Sequence, residues 1–449
     1  MARGAAGMAG RGGAVCPARN PPGQANSGLY PRPWVFLGDS RPAPPQQGAD
    51  RLMRLILFAG KGGSGKTSMS AATGALCAEQ GLNTLVISLD PAHSLSDAFD
   101  LSGELLGLSG APVQVAPRLA IQEINVNLAI EEYWEQVHSY LSALFNSAGL
   151  KEVVAEEIAV LPGMEEISAL LYINQYVREK TYDLLILDCA PTAESMRFVS
   201  VPSALEWYMK KVFKLERAVL KVARPIAARL TDVPLPGDDY FANLEALFAK
   251  LEGVDRLLTD HQSTTVRLIC NPEKMVLKES QRAYTYFSLY GLAVEAVIMN
   301  RVWPEGGQGL AGQMAALQQP YLEQASEIFA PLPILPVAHQ QKEVLGHGPL
   351  LELGRALYGE RDPAARLYDR QPLTFEKAGG KLQVRLHLPN VGKGEVKLHK
   401  VGDDLVVEVG VFRKHLALPH SFVLAQPVKA AFHGDDLLID FSSHSGGES

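Results

Sequence analysis

The run Gly60-Lys61-Gly62-Gly63-Ser64-Gly65-Lys66-Thr67 restricts the fold of this chain more than any other eight residues. It fits the phosphate-loop pattern G-x-x-x-x-G-K-[ST], with an additional lysine straight after the first glycine. The glycines let backbone N–H groups close around an anionic phosphate. In that arrangement Lys66 meets the β- and γ-phosphates and the Thr67 hydroxyl ligates Mg²⁺. The flanks agree. Leu55–Phe58 is a short apolar run of strand type, Thr67–Gln80 is small and apolar enough for a helix, and Gly81 stands where a left-handed C-cap falls. Strand, glycine loop and helix in that order aim a helix N-terminus at a phosphate.

The chain has 449 residues, enough for two or three domains, and a formal net charge of −7, which argues against nonspecific nucleic-acid binding. No apolar stretch is long enough for a transmembrane helix. Cys16, Cys77, Cys189 and Cys270 lie far apart with no C-x-x-C pair, which is neither a disulfide framework nor a zinc motif, and a reducing, cytoplasmic compartment is expected. Residues 1–52 stand apart: they are rich in Gly, Ala, Pro and Arg, with no lysine and with Asp39 and Asp50 as the only acids. A disordered extension, a start-site artefact preceding Met53 and an Arg-rich transit peptide all fit that composition.

From Met53 to about Leu367 strand and helix alternate, which predicts an α/β fold with a parallel sheet flanked by helices. Expected strands are Leu55–Ala59, Thr84–Leu89, Ala120–Ile124, Leu184–Leu187, Val266–Cys270, Val294–Met299 and Ile334–Val337. Asp90, Asp188 and Asn300 each follow a strand, where open α/β sheets bind ligands. A nucleotidase needs one carboxylate behind the Mg²⁺ shell and a group to orient the attacking water. Two aspartates at strand ends supply both.

Helical spacing over Glu131–Phe145, Lys151–Val160, Glu165–Glu179 and Ser203–Leu230 predicts a helical lobe, inserted around 127–180 and 200–260. Leu205, Trp207, Met209, Val212, Phe213 and Leu215 form an apolar face flanked by lysines. It reads either as core packing or as a hydrophobic client groove. From about 372 to 443 the pattern becomes all-β: Leu382–Leu388 alternates strictly, and Leu405–Val411, Phe412–Leu418 and Leu437–Phe441 follow, separated by turn residues. A sandwich of about 70 residues is expected. Six of the eleven histidines fall here (His387, His399, His415, His420, His433 and His444); without metal-site spacing they are expected at the surface.

Taken together, Gly60–Thr67, Asp90–Phe99 (Asp-Pro-Ala-His-Ser-Leu-Ser-Asp-Ala-Phe) and Asp188–Thr192 (Asp-Cys-Ala-Pro-Thr) resemble the arsenite-pump ATPase family, which also includes the ATPase of tail-anchored protein targeting. The loop with lysine in second place marks a wider group shared with the ParA and MinD ATPases. The resemblance implies ATP and Mg²⁺ as cofactors. It implies that Gly60, Lys61, Gly62, Gly63, Ser64, Gly65, Lys66, Thr67 and Ser68 line the nucleotide. Lys61 would reach a partner subunit's nucleotide, Asp90 would activate the hydrolytic water, and Asp188 would hold Mg²⁺ through water. Asn300 resembles the family's adenine-binding asparagine, and Pro336 lies near its adenine-packing loop. With a single phosphate loop in the chain, a C2 homodimer is expected, although Lys61 as a plain surface lysine also fits the sequence. Residues from about Pro372 to Phe441 resemble the α-crystallin-type module appended to bacterial members, chiefly at Phe412–Pro419. The paired zinc cysteines of eukaryotic members are absent, so no zinc is expected, and no cysteine trio for arsenite is recognisable.

The expected function is a Mg²⁺-dependent ATPase that couples a homodimer switch to a client such as a tail-anchored membrane protein. The alternatives are the energising subunit of an arsenite or anion efflux pump and a MinD-like positioning ATPase. The last would want a terminal amphipathic membrane helix where this chain reads as β.

Overall fold

The computed structural model describes residues 53–90, 94–101, 110–124, 164–209, 213, 238–306, 308–378 and 381–442. The expected helices at 131–145 and 151–160, most of 203–230, residues Pro91–His93 of the second motif, and residues 1–52 lie outside them.

An eight-stranded sheet organises the first part of the chain, in the order β3-β4-β2-β5-β1-β6-β7-β8. These strands are β1 (Arg54–Gly60), β2 (Thr84–Ser88), β3 (Val113–Ala116), β4 (Leu119–Glu123), β5 (Leu184–Asp188), β6 (Thr264–Cys270), β7 (Ala293–Val302) and β8 (Ile334–Ala338). All seven expected strands are present and parallel to one another. The eighth, β3, is an antiparallel edge strand with a half-buried pattern, too short and too mixed to stand out in sequence. Strand β1 is central, and every residue from Leu55 to Gly60 is buried. Its alternate side chains enter two different cores. Leu55 and Leu57 face one side, against Leu170, Phe198, Leu277, Phe287 and Phe329. Ile56 and Phe58 face the other, against Ala72, Leu76, Leu95 and Leu353.

Helix α1 (Lys66–Glu79) leaves the glycine loop and ends as expected. Gly81 is left-handed (φ +95°), with Leu82 N–H on Cys77 C=O at 3.1 Å and Gly81 N–H on Ala78 C=O at 3.0 Å. Short helix α2 (Ser94–Ala98) follows β2. Helices α3 (Met164–Glu179), α4 (Thr192–Tyr208) and α5 (Asp238–Leu251) form a separate apolar cluster of Ile167, Leu171, Phe241, Leu244 and Leu247 with Phe213. Leu205 and Met209 pack against it. Of the described residues of the apolar face around Leu205, Phe213 is therefore core, Leu205 and Met209 are half-buried against it, and Trp207 is exposed. Helix α6 (Val254–Thr259) and α7 (Lys274–Leu289) flank β6, α8 (Leu310–Phe329) follows β7, and α9 (His347–Tyr358) lies on α1. The last contact is close: a Cβ on Gly354 would stand 2.6 Å from the Ala72 carbonyl oxygen.

The chain then builds two antiparallel sheets, β14-β15-β10-β9 and β11-β12-β13. They comprise β9 (Leu373–Ala378), β10 (Lys381–His387), β11 (Val396–Val401), β12 (Asp404–Val409), β13 (Phe412–Ala417), β14 (Pro427–His433) and β15 (Asp436–Phe441), with α10 (His420–Val423) between β13 and β14. Val384, Leu386, Leu405, Val407, Leu416, Ile439 and Phe441 fill the space between the sheets. The strands beyond the four expected are β9, β11 and β14, each at a sheet edge, where solvent relaxes the alternation that sequence reading depends on. Among the expected surface histidines, His387 is a correction. It is 3% exposed, with Nε2 at 3.1 Å from the Tyr284 hydroxyl of α7 and Nδ1 at 2.9 Å from Asp436. It is buried because β10 ends against α7.

A buried ion pair ties the end of this first part to its centre. The Arg267 guanidinium, fully buried in β6, meets Glu295 of β7 at 2.7 Å, the Tyr358 hydroxyl at 2.7 Å and the Pro363 and Ala365 carbonyls at 2.9 and 3.1 Å. Tyr358 in turn meets Thr73 of α1 at 2.8 Å, and Arg54 reaches the second Glu295 oxygen at 3.2 Å. Glu295→Ala would leave Arg267 buried without a counter-charge. Urea unfolding followed by circular dichroism should show a loss of about 3–5 kcal/mol.

Candidate nucleotide site

Strand β1 ends at Gly60, and the backbone turns at once into the loop. A Cβ on Gly60 would lie 2.4 Å from the Ile269 carbonyl oxygen of β6, so only glycine lets the two strands approach this closely. At the far end, Gly65 has φ +100°, and a Cβ there would meet Asn300 Nδ2 at 2.3 Å. The loop is braced from behind. Asn300 Nδ2 donates to Ser64 C=O at 2.8 Å, and Asn271, its amide nitrogen turned toward the loop, reaches the same carbonyl at 3.2 Å. Lys66, the first residue of α1, is 6% exposed, while Lys61 is half-buried and forms no ion pair among the described residues. Gly62 and Gly63 are exposed, and Thr67 and Ser68 are half-buried.

Asp188 ends β5, directly beside Phe58 of β1 and Ser88 of β2. It is fully buried, and neither carboxylate oxygen has a hydrogen-bond partner at normal geometry. Burial pushes its carboxyl up to about 7; the neighbouring Thr67 hydroxyl and Lys66 ammonium pull the other way, and Asp90 adds to the rise. A buried, orphaned carboxylate beside the phosphate lysine is costly unless a cation completes it. The residues fit Mg²⁺. Thr67 Oγ1 lies 3.2 Å from Ser94 Oγ, so two hydroxyls and one carboxylate offer hard oxygen donors. Among the described residues no group of three or more His, Cys, Asp or Glu side chains could cage a metal. Mg²⁺ does not require such a cage, since it takes the rest of its shell from phosphate and water.

Asp90, half-buried, follows β2, its N–H donating to Ser88 Oγ at 3.2 Å. Asn300 lies inside β7, which runs on to Val302, and its amide is spent on the loop carbonyl and on Arg301 N–H at 2.8 Å. Pro336 is exposed in β8 and pairs in register with Met299. Beside these strand ends lies a cavity of about 390 Å³ lined by Glu273, Arg301, Trp303, Leu317, Tyr321 and His339. Trp303 and His339 stack with centroids 4.3 Å apart, and Gln318 fixes that turn by bonding Trp303 N–H at 2.9 Å and the Arg301 carbonyl at 3.0 Å.

Sequence reasoning passed over Ser94, Glu123, Asn271 and the Trp303–His339 pair. Glu123 was within reach of the strand-end rule that found Asp90: it closes β4 and accepts from Ser96 N–H at 2.8 Å, holding α2. The others act through contacts between residues distant in sequence.

A loop that offers backbone N–H groups and lysine to phosphate, with hydroxyl and carboxylate beside it, defines a phosphate-loop nucleoside triphosphatase. Comparison with family models narrows the class. Residues 53–359 match the anion-transporting ATPase model, and residues 379–441 match the HSP20-like domain found in ArsA. The chain belongs to the anion-transporting ATPase family, and it is an ATP hydrolase. It is 44% identical over 396 residues to a putative arsenical pump-driving ATPase of Aquifex aeolicus, covering 87% of this chain and 100% of that one. A putative arsenical pump-driving ATPase of Chlorobaculum tepidum is 35% identical over 400 residues, 88% of this chain and 98% of the relative. An ATPase ASNA1 homolog of Paramecium tetraurelia is 25% identical over 301 residues, 66% of this chain and 90% of the relative.

Two outcomes are expected. Gly65→Ala should weaken nucleotide binding, measured by calorimetry, by at least about tenfold, through left-handed strain and collision with the Asn300 amide. Asn300→Ala in that background removes the collision but not the strain, and should restore only part. For Asp188, the folded carboxyl keeps its proton to a higher pH than the unfolded chain does. The stability tied to that proton is full at low pH and lost as pH rises through about 7. Asp188→Asn should therefore raise the melting temperature of the metal-free protein at pH 8, by about 3 °C or more, with the gain shrinking toward pH 5.

Proposed function

We propose that this chain is the energy-transducing ATPase of an anion-export system, working as a nucleotide-switched homodimer. The observation that carries the reading is that the similarity to the Aquifex arsenical pump-driving ATPase runs over the whole of that protein. Among the described residues no helix is long and apolar enough to cross a membrane, so the transport path belongs to a partner in this reading. Phe213, Leu205 and Met209 of the Leu205 face pack into the core of the helical lobe, which takes much of that face away from a tail-anchored client, while Trp207 stays exposed.

In the proposed cycle the loop N–H groups and Lys66 hold the β- and γ-phosphates, and Thr67 and Asp188 hold Mg²⁺, Asp188 through water. The metal, when bound, neutralises charge on the phosphate oxygens. Asp90 orients water for in-line attack. The base lies toward Asn300 and Pro336 at the ends of β7 and β8. Lys61, half-buried with no ionic partner among the described residues, supplies a second cation to the nucleotide of the other subunit, as an arginine finger does.

The anion itself is recognised elsewhere. Cys77, Cys189 and Cys270 are fully buried, and burial pushes their thiols up to about 12, 12 and 11, so none offers a ready thiolate. Cys189 follows β5 and Cys270 ends β6, on opposite sides of β1. Arsenite or antimonite should change turnover of the purified ATPase by less than about twofold, since recognition by soft ligands needs thiolates. Stimulation abolished by a Cys→Ala variant would refute this. Turnover should rise with protein concentration, and Lys61→Ala should reduce it by about a thousandfold while ATP still binds. A monomer that hydrolyses ATP equally well with or without Lys61 removes the cross-subunit step.

A further inference from the structure

The nucleotide reading leaves the C-terminal β-module without a task, yet its most deeply placed charge is aimed at the ATPase. Lys414 of β13 is 7% exposed. Its ammonium donates to Ser203 Oγ of α4 and lies 4.9 Å from the centre of the Tyr290 ring. Burial pulls its pKa below the ordinary lysine value, while Asp255 and Glu206 favour the charged form. Ser203 is itself fixed by a 2.8 Å bond to Asp255 of α6. Around this point β13 is gripped on both sides. Tyr290 donates to the Arg413 carbonyl at 2.9 Å, Tyr286 lies edge-on to Phe412 at 4.9 Å, and His415 stands 6.2 Å from Trp207 of α4.

Helix α4 is the element that this grip holds. It starts at Thr192, four positions after Asp188, and its first residue is tied to Glu279 of α7 at 2.8 Å. Pro202 interrupts it immediately before Ser203, where a backbone donor is missing from the helical ladder. Beyond that break, Leu205 and Met209 enter the core of the helical lobe. The module thus seizes α4 just past its weakest point, between the metal-side loop and the lobe. Helix α7 provides a second anchor, through Tyr284 to His387 and Thr285 to the Pro389 carbonyl at 2.8 Å.

We propose that the β-module is a built-in clamp on the helix that leaves the Asp188 loop, with Lys414 as its positioning residue, so that the module restrains movement of α4 during the ATP cycle. The proposal rests on the reading of Asp188 and the phosphate loop as the nucleotide site. Lys414→Met keeps the buried stem and removes the charge and the bond to Ser203.

The test uses the full chain and three readouts: Mg²⁺–ADP affinity by calorimetry, kcat and KM for ATP, and the emission assigned to Trp207 by difference from Trp207→Phe. In the wild type, Mg²⁺–ATP should change the Trp207 emission. In Lys414→Met, kcat should rise by about three- to thirtyfold with KM and ADP affinity held within about twofold, and the Trp207 response should be lost. Lys414→Arg should recover part of the wild-type behaviour. If Lys414→Met fails to fold by circular dichroism, Ser203→Ala carries the same expectation. Unchanged kcat and an unchanged Trp207 response in a folded variant that binds nucleotide normally overturn the clamp. A wild-type chain that binds no Mg²⁺–nucleotide overturns the site reading, and the clamp with it.

Discussion

The architecture depends on how closely backbone approaches backbone at the end of β1. The Gly60 Cα lies against the Ile269 carbonyl, and Gly65 against the Asn300 amide, with no room at either for a side chain. This closeness places the loop at the carboxyl ends of β5, β6 and β7 together. The brace from Asn300 takes a loop carbonyl, not a loop N–H. A parallel sheet with β1 buried on both faces provides the rigidity, because its alternate side chains are locked into two separate cores.

The buried charges Arg267 and Asp188 of this sheet are treated in opposite ways. Arg267 is matched by Glu295 and satisfied by a hydroxyl and two carbonyls, so it holds the segment after α9 against the sheet. Asp188 is equally buried, and among the described residues its oxygens have no hydrogen-bond partner. The first arrangement is what a structural ion pair requires to offset desolvation. The second is costly in isolation and makes sense where a ligand completes it, as strain and unsatisfied groups collect at functional sites. The contrast separates scaffold from site without reference to any relative.

From the site, connections run outward along α4 and α7. Thr192 and Glu279 join the two helices next to the Asp188 loop, and the Tyr286 hydroxyl donates to the Met196 carbonyl one turn on. The C-terminal module attaches to the outer parts of both helices and buries Leu289 of α7 in its own core. Its contact with the ATPase is built of directed bonds as well as apolar area, which gives it a defined position on the helices.

Much of this was legible in the sequence. The loop, Lys66, Thr67, Asp90 and Asp188 could be found because their chemistry is local: glycine where φ is positive, an acid where a strand stops, apolar runs where a strand is buried on both faces. The edge strands β3, β9, β11 and β14 escaped because half-exposed strands lose the pattern. His387 was misread because its burial comes from packing on α7. Whether the Leu205 face is core or groove could not be read from periodicity, which gives the same stripe for both; Ile167, Phe241 and Leu244, distant in sequence, draw Phe213, Leu205 and Met209 into a core and leave Trp207 exposed. The amino-acid sequence alone therefore determined the class of fold and singled out the loop and the strand-end aspartates as candidates for phosphate and metal, since short-range geometry governs both. Only the tertiary structure decided that Asn300 braces the loop, that Trp303 and His339 wall a cavity, and that Lys414 reaches α4. Each of these depends on bringing together residues that no local pattern connects.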